Sequence, residues 1–359
     1  MDNIPFLNKN KGIGSFFPYI ATDAPKLKVH QSNFSPQNKL LFYTGRQAIK
    51  YVIEAIKKEK KITTIWLPEY YCQHVTAWIK NNYSNVKMYA VNPKNEQETI
   101  NLLDFASDDD IVLINNFWGI DTCKINRGNK NSIIIEDHSH GWLSKSCKES
   151  RADYCIASLR KSAPVPLGGI AWRPNGKEID SRVPITNDTS FLDIWNAILK
   201  GMKLKASYEE SPVADETKKR TFLEIINREE QKMHNNLNLV PLMKQHEDII
   251  EEYLRTDYLR IKQGHLEKIH TLIKPSKEFE VVKDIQPSFG LILFVDTERK
   301  MQKLRSYLIT HHIYPSLLWP ENNVGYGFYL NIHIDFRYNE ITMAYICSIL
   351  NGIGKNDLN

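Results

Sequence analysis

The chain has 359 residues, of which 42% are apolar and 25% are charged. This composition is typical of a globular protein and excludes a wholly disordered chain, a collagen and a coiled coil. The 47 Lys and Arg residues outnumber the 42 Asp and Glu residues only slightly. Because the basic residues are spread along the chain, we expect no nucleic-acid partner. Apolar runs stay short of the ~18 residues that a membrane-spanning helix needs, so we also expect no membrane partner.

The cysteines and the N-terminus point to the cytoplasm. The five cysteines are an odd number, and no pair has the spacing of metal ligands. They are Cys72, Cys123, Cys147, Cys155 and Cys347. Free thiols persist in a reducing compartment. The stretch from Met1 to Phe16 also lacks the basic and apolar regions of a signal peptide.

The first half of the chain has the pattern of an α/β domain. Residues 1–38 look like an N-terminal arm, and apolar residues between Ala48 and Ile56 then recur with helical spacing. Short apolar segments of strand length follow, with polar stretches between them. They are Thr63 to Leu67, Val86 to Val91, Asp110 to Ile114, Ser132 to Ile135, Tyr154 to Ala157 and Gly169 to Trp172. This alternation predicts a largely parallel sheet.

The second half changes character twice. Charged segments with helical spacing extend from about Ser190 to Ile273, and mixed helix and strand signals follow to the end. We therefore predict an arm over residues 1–38, a large domain over 39–245 with a helical segment at 190–245, and a small C-terminal α+β domain over 246–359.

Thr44, Gly45 and Arg46 form the first of three segments that carry chemistry. They stand at the start of the first predicted helix. Free backbone N–H groups and the helix dipole favour an anion such as phosphate at such a place. The alternative is an ordinary helix cap.

The second segment is an acidic and imidazole cluster after a predicted strand. Asp137, His138 and His140 follow the apolar run that ends at Ile135. Ligands in open α/β sheets bind beyond the carboxyl ends of the strands. A metal site is one interpretation, but the sequence shows no fourth ligand, so we predict that no metal is bound here. A solvated turn is the other alternative.

The third segment places Lys161 just after a predicted strand, with Ser158 three residues before it. Burial disfavours the charge of a lysine, and a neutral amine can form a Schiff base with an aldehyde. Most lysines are only surface charges. Together, however, the three segments supply a phosphate cradle, an acid for a pyridinium nitrogen and a lysine, which is what pyridoxal phosphate requires.

With these residues the chain resembles the fold type I pyridoxal-phosphate enzymes, and in particular the DegT-type sugar aminotransferases, over roughly residues 12 to 350. The matching motifs occur in the family's order. They are Gly14-Ser15-Phe16-Phe17, Thr44-Gly45-Arg46, Leu67-Pro68-Glu69-Tyr70-Tyr71, Asp137 with His140, Ser158-Leu159-Arg160-Lys161, and Asp335-Phe336-Arg337-Tyr338. The resemblance implies a mostly parallel large-domain sheet flanked by helices and a smaller C-terminal α+β domain.

The resemblance also implies roles for single residues. Lys161 would form the Schiff base and move a proton, Asp137 would keep the pyridine nitrogen protonated, and His140 would contact the phenolic oxygen. The candidate cofactor-binding residues are Thr44, Gly45, Arg46, Tyr71, Cys72, Asn116, Ser158 and Arg160. The family places a stacking ring at the position of Cys72, which leaves Tyr71, Trp118 and His138 as alternatives.

Two further residues are candidates for substrate contact. Trp319 stands in a segment that resembles the loop at the mouth of the family's site. Arg337 could bind a substrate carboxylate as a bidentate fork, or it could instead anchor the last helix together with Asp335.

The resemblance implies a homodimeric aminotransferase with pyridoxal 5'-phosphate as cofactor. It would move an amino group from an amino acid, L-glutamate, to a keto acceptor such as a nucleotide-linked sugar in sugar biosynthesis. Two alternatives stay open. The same cofactor supports desulfuration, decarboxylation and aldol-type reactions, and a degenerate protein would bind the cofactor without turnover.

Overall fold

A computed structural model of the chain describes residues 12–94, 99–119, 124–180, 183–236, 238–282, 289–319, 321 and 325–354. Residues 1–11 of the predicted arm, Cys123 and residues 355–359 of the predicted C-terminal domain lie outside these ranges.

The elements of the first half alternate between strand and helix. They are α1 (Pro25–Lys28), β1 (Leu40–Phe42), α2 (Gly45–Glu59), β2 (Ile65–Pro68), α3 (Gln73–Asn82), β3 (Val86–Tyr89), β4 (Thr99–Asn101), β5 (Ile111–Asn115), β6 (Lys124–Asn126), β7 (Ile133–Asp137), α4 (Lys145–Lys148), β8 (Tyr154–Ser158) and β9 (Gly169–Trp172).

The second half begins with four helices and ends in mixed structure. Its elements are α5 (Ser190–Glu210), α6 (Glu216–Asn235), α7 (Lys244–Leu254), α8 (Tyr258–Leu272), β10 (Glu280–Val282), β11 (Leu291–Val295), α9 (Glu298–Thr310), β12 (Ser316–Leu318), β13 (Phe328–Ile332) and α10 (Glu340–Asn351).

A seven-stranded sheet in the order β1-β9-β8-β7-β5-β2-β3 forms the centre of the large domain. β8, β7, β5, β2 and β3 pair in parallel, whereas β9 is antiparallel to both β8 and β1. All five residues of β5 are buried, as expected for a strand covered on both faces. The predicted α/β class with a mostly parallel sheet is confirmed.

The pairing of the central strands positions the candidate site. Asn115 at the end of β5 pairs with Asp137 at the end of β7, and Asp137 pairs in turn with Ile156 of β8. Because these strands are parallel, their carboxyl ends meet at one edge of the sheet. The turns after β5, β7 and β8 therefore lie side by side.

A four-stranded antiparallel sheet, β10-β11-β13-β12, forms the smaller C-terminal part. Its buried face shares a core with α8, α9 and α10, in which Leu266, Leu293, Leu304 and Ile346 are among the buried residues. The predicted smaller α+β domain is confirmed, while the boundary at residue 245 stays a prediction. Among the described helices, none has the length and apolar character that crossing a lipid bilayer demands.

Thr44 begins α2 with a reciprocal cap. Its Oγ1 accepts a hydrogen bond from the Gln47 backbone N–H at 3.2 Å, and the Gln47 Oε1 accepts one from the Thr44 N–H at 3.2 Å. This arrangement satisfies two donors at the helix start. The Thr44 side chain thus caps the helix, as the second interpretation of this segment predicts.

Replacing Thr44 by alanine is expected to lower the free energy of unfolding by about 1 kcal/mol, because one cap hydrogen bond is lost. Urea denaturation followed by circular dichroism measures this change. Thr44→Ser keeps the hydroxyl and serves as the control. An equal loss in both variants would show that the cap hydrogen bond is not the cause.

Candidate active site

Lys161 and His140 meet at the carboxyl edge of the central sheet. Lys161 ends a one-turn 3-10 helix, Leu159–Lys161, that follows β8 directly. His140 lies in the turn after β7, and its Nε2 is 3.2 Å from the Lys161 Nζ. The adjacent parallel strands thus bring a primary amine and an imidazole into direct contact.

Asp137 is a buried carboxylate at the end of β7, with 5% of its surface exposed. One oxygen accepts a hydrogen bond from the Tyr71 hydroxyl at 2.5 Å, and the other accepts one from the Ser139 N–H at 2.8 Å. Burial raises the pKa of Tyr71 well above its usual range, and the Asp137 charge raises it further. Tyr71 therefore remains a protonated donor to Asp137.

The ring of His140 is stacked among aromatic rings. Its centroid lies 3.9 Å from Phe289, 5.0 Å from Trp319 and 5.6 Å from Trp118, with interplanar angles of 18°, 13° and 13°. Burial, followed by the charges of Lys161 and Lys262, lowers the pKa of His140 well below its usual range. The imidazole is therefore neutral at physiological pH and can accept a hydrogen bond from an amine.

The start of α2 approaches the end of β8 closely. A side-chain carbon on Gly45 would lie 3.1 Å from the Ser158 Cβ, and one on Gly169 would lie 2.2 Å from the Thr44 carbonyl oxygen. Only glycine fits such contacts without a shift of the neighbouring chain. The Gly45 and Arg46 N–H groups, which begin α2, are thereby placed close to Ser158. The first N–H groups of a helix have no carbonyl acceptor within it.

Two arginines accompany these backbone groups. Arg46 is in the first turn of α2, and Arg160 is in the turn after Ser158. We call Gly45, Arg46, Ser158 and Arg160 the cradle. Backbone donors, a hydroxyl and guanidinium groups together suit a phosphate group.

Tyr71 and Cys72 enter the site from the loop between β2 and α3. The Tyr71 ring lies 5.8 Å from the Trp319 ring, and Cys72 stands at the N-cap of α3 without a side-chain hydrogen bond to the helix. Cys72 is close enough to Arg46 for the two groups to interact electrostatically. The predicted Tyr71, Cys72 and Trp319 are thus brought to the cluster.

His138 and Asn116 belong to a different polar group. The His138 Nε2 is 3.3 Å from Glu136, and its Nδ1 is 3.1 Å from the Asn116 Nδ2. Asn116 also donates to the Ser146 Oγ at 2.5 Å. The Asn116 and His138 side chains therefore both point into this group. The cofactor contact of Asn116 and the stacking role of His138 stay predictions.

Arg337 is held by the protein itself. Its Nε and Nη2 donate to the two Asp335 carboxylate oxygens at 2.9 and 2.7 Å, and the guanidinium also donates to the backbone oxygens of Phe16 and Ser15. These four hydrogen bonds use most of its donors. The structure therefore shows the anchoring contacts with Asp335, and the contact of Arg337 with a substrate carboxylate stays a prediction.

The ion pair between Asp335 and Arg337 makes the fold sensitive to acid. Burial alone would raise the pKa of Asp335, but Arg337 and His333 together lower it from 3.8 to about 2. A carboxyl group with a lowered folded-state pKa stabilises the fold above its unfolded-state pKa and loses that contribution as the pH falls. The shift corresponds to roughly 2 kcal/mol.

We expect the stability difference between wild type and Asp335→Asn to shrink as the pH falls from about 5 to about 2.5. The reason is that protonation removes the Asp335 charge from the wild type as well. Urea denaturation of both proteins across this range measures the difference. A difference that stays constant would contradict the role of the Asp335 charge.

Some site residues were missed from the sequence. Lys262 is fully buried in α8, and its Nζ donates to the Phe289 carbonyl oxygen at 2.9 Å. Burial lowers the pKa of Lys262 to about 8. The sequence could have indicated this burial, because Lys262 lies on the same helix face as the other buried residues of α8, which are Tyr258, Leu259, Leu266 and Ile269. Glu230 and His234 of α6 lie close to Arg160 and Arg46 of the cradle. The sequence of α6 is rich in charged residues, as in a solvent-exposed helix, so its pattern did not predict that these two residues belong to the site.

Sequence comparison gives no relative: no protein-family model matches the chain, and no curated protein matches it either. Comparison with solved structures does find similar proteins. The sugar aminotransferase CalS13 from Micromonospora echinospora superposes with a TM-score of 0.59 at 10% identity, covering 94% of this chain and 98% of that one. Spr1654 from Streptococcus pneumoniae in its apo form gives 0.56 at 9% identity, with 97% and 99% covered.

A third similar structure is GDP-4-keto-6-deoxymannose-3-dehydratase with a trapped PLP-glutamate geminal diamine. Its TM-score is 0.56 at 14% identity, and the match covers 87% of this chain and 88% of that one. The chain shares the fold of these proteins. The fold class implied by the resemblance, with its large parallel sheet and smaller C-terminal part, is thereby confirmed.

Proposed function

We propose that the chain is a pyridoxal-phosphate-dependent aminotransferase. The observation that carries this proposal is the contact of 3.2 Å between the Lys161 Nζ and the His140 Nε2, beside the buried Asp137 carboxylate. The shared fold with CalS13, a sugar aminotransferase, and with a dehydratase that holds a PLP-glutamate adduct supports it.

The residues present fit the cofactor at each of its polar groups. Asp137 would face the pyridine nitrogen, His140 the phenolic oxygen, and the cradle the phosphate group. The clearest sign of fit is the close approach of Gly45 to Ser158, which exposes the donors of α2 without a side chain between them. When bound, pyridoxal phosphate supplies an aldehyde that reacts with amines and a ring that withdraws electrons.

The chain's own residues then have distinct tasks. The Lys161 amine binds the cofactor and carries a proton at its Nζ, and the neutral His140 accepts a hydrogen bond from it. The negative charge of Asp137 favours a protonated ring nitrogen, because opposite charges in contact stabilise each other. Phe289, Trp118 and Trp319 exclude water from the His140 side of the site.

The donor that we propose is L-glutamate, and the acceptor is a keto group, as on a nucleotide-linked sugar. We further propose a homodimer in the cytoplasm that serves sugar biosynthesis. The aminotransferase fold of CalS13 supports the reaction class. The dimer follows from the resemblance and is tested by light scattering on the purified protein.

The reaction is tested with the cofactor-loaded protein and L-glutamate, without an acceptor. We expect one equivalent of 2-oxoglutarate per protein chain, together with conversion of the bound cofactor to its amine form in the absorbance spectrum. L-Alanine and L-cysteine are the comparison donors. Release of carbon dioxide or sulfide would instead indicate another reaction of the same cofactor. Binding of the cofactor without any product would indicate a degenerate protein.

A further inference from the structure

Helix α6 brings an acidic side chain to the cradle. Glu230 forms an ion pair with Arg160, and the Arg160 Nη1 also lies 3.9 Å from the Met233 Sδ. Glu230, Met233 and His234 are at positions i, i+3 and i+4 and so share one face of α6. This face is therefore part of the wall of the cradle.

A second contact ties α6 to the same place. The His234 ring lies 4.1 Å from the His74 ring in the first turn of α3. Burial, followed by the charges of Arg46 and His74, lowers the pKa of His234 to about 4. His234 is thus neutral at physiological pH, and Arg46 is near enough to affect it.

Three charged side chains determine the net charge at the cradle. Arg46 and Arg160 are positive, and Glu230 is negative. Burial would raise the pKa of Glu230, but the charge and hydrogen bond of Arg160, together with the charge of Arg46, lower it overall. Glu230 is therefore ionised at neutral pH, and the three groups carry one net positive charge. A phosphate monoester carries between one and a half and two negative charges.

We propose that Glu230 is the counter-ion of the cradle, which holds Arg160 in place and limits the affinity of the site for phosphate groups. This inference rests on the proposed function insofar as the phosphate belongs to pyridoxal phosphate. Two anions in a partly buried site repel each other. The carboxylate that balances the arginines in the free protein therefore weakens the binding of a phosphate group.

Glu230→Gln tests the inference because it removes the charge and keeps the shape and one acceptor for Arg160. We expect the Kd for inorganic phosphate and for pyridoxal phosphate to fall about tenfold, since one like-charge repulsion is removed. The Kd for pyridoxal, which has no phosphate, should stay unchanged. Isothermal titration with each of the three ligands measures these constants.

Glu224→Gln is the matched control, because it removes the same charge from an exposed position on the same helix. It should leave all three constants unchanged. If Glu230→Gln fails to fold, Glu230→Ala removes the same charge and should tighten phosphate binding in the same direction. Unchanged or weaker phosphate binding in the folded variant would overturn the inference and leave Glu230 as a support for Arg160 alone.

The two proposals fail in different ways. If the wild type binds inorganic phosphate but never binds pyridoxal phosphate covalently, the proposed function is wrong. The inference about Glu230 is then decided by the phosphate titration alone. If the cofactor binds covalently and Glu230→Gln does not tighten it, only the role of Glu230 is wrong.

Discussion

Replacing Lys161 by alanine is expected to lower the rate of amino-group transfer by at least about a thousandfold. In the proposed function the variant loses both the amine that would bind the cofactor covalently and the base that would move the proton. Single-turnover measurements of 2-oxoglutarate formation from L-glutamate give the rate. The absorbance band of the lysine-bound cofactor should vanish as well.

Lys177→Ala is the control for this experiment. Lys177 is exposed in the loop after β9, so its loss should change neither the rate nor the absorbance. Added methylamine should restore part of the rate of Lys161→Ala, because it replaces the missing amine. A fully active Lys161→Ala variant would contradict the proposed mechanism.

Asp137→Asn is expected to lower kcat by about a hundredfold to several thousandfold. The substitution keeps the shape of the side chain but removes the charge that, in the proposed function, would favour a protonated ring nitrogen. Loss of a buried charge partner costs about 3–5 kcal/mol, and each 1.36 kcal/mol is a factor of ten. Steady-state kinetics with saturating donor and cofactor measures the effect, and circular dichroism verifies that the variant is folded.

Tyr71→Phe separates the charge of Asp137 from its hydrogen bonding. It removes the 2.5 Å hydrogen bond to Asp137 but leaves the carboxylate charge in place. We therefore expect a loss of about tenfold, since a hydrogen bond to a charged group contributes roughly 1.5–3 kcal/mol. An Asp137→Asn variant as active as Tyr71→Phe would contradict the electrostatic role of Asp137.

The sequence was sufficient to predict that Asp137, His140 and Lys161 lie close together, because they follow consecutive strands of one parallel sheet. Asp137 and His140 follow β7, and Lys161 follows β8. The carboxyl ends of adjacent parallel strands lie side by side, and this follows from the strand pairing alone. The start of α2 could be predicted for the same reason, because the Thr44 and Gln47 cap is local.

The sequence was not sufficient where the partner of a side chain lies far away along the chain. Arg337 had the right chemistry for a carboxylate, but Asp335 and the backbone of Ser15 and Phe16 occupy it, and the latter two are more than 300 residues away. Asn116 stood at a strand end, yet its amide turns to Ser146 and His138. Contacts of this kind depend on packing that no local pattern records.

Glu230 illustrates a second limit. Helix α6 is rich in charged residues, and such a pattern is typical of a solvated helix face. Only the packing of α6 against α5, where a side-chain carbon on Gly201 would meet Ile225 and Ile226 at 3.3 and 3.2 Å, fixes which of its acidic residues faces the cradle. Glu230 meets Arg160 for this reason, while Glu224 faces solvent.

The most direct test of the central claim is to locate the lysine that binds the cofactor. The protein is loaded with pyridoxal phosphate, reduced with borohydride, digested and sequenced by mass spectrometry. The account predicts a single pyridoxyl phosphate group on Lys161. A group on Lys262, a buried lysine whose Nζ donates to the Phe289 carbonyl oxygen beside His140, or the absence of any covalently bound cofactor would contradict it.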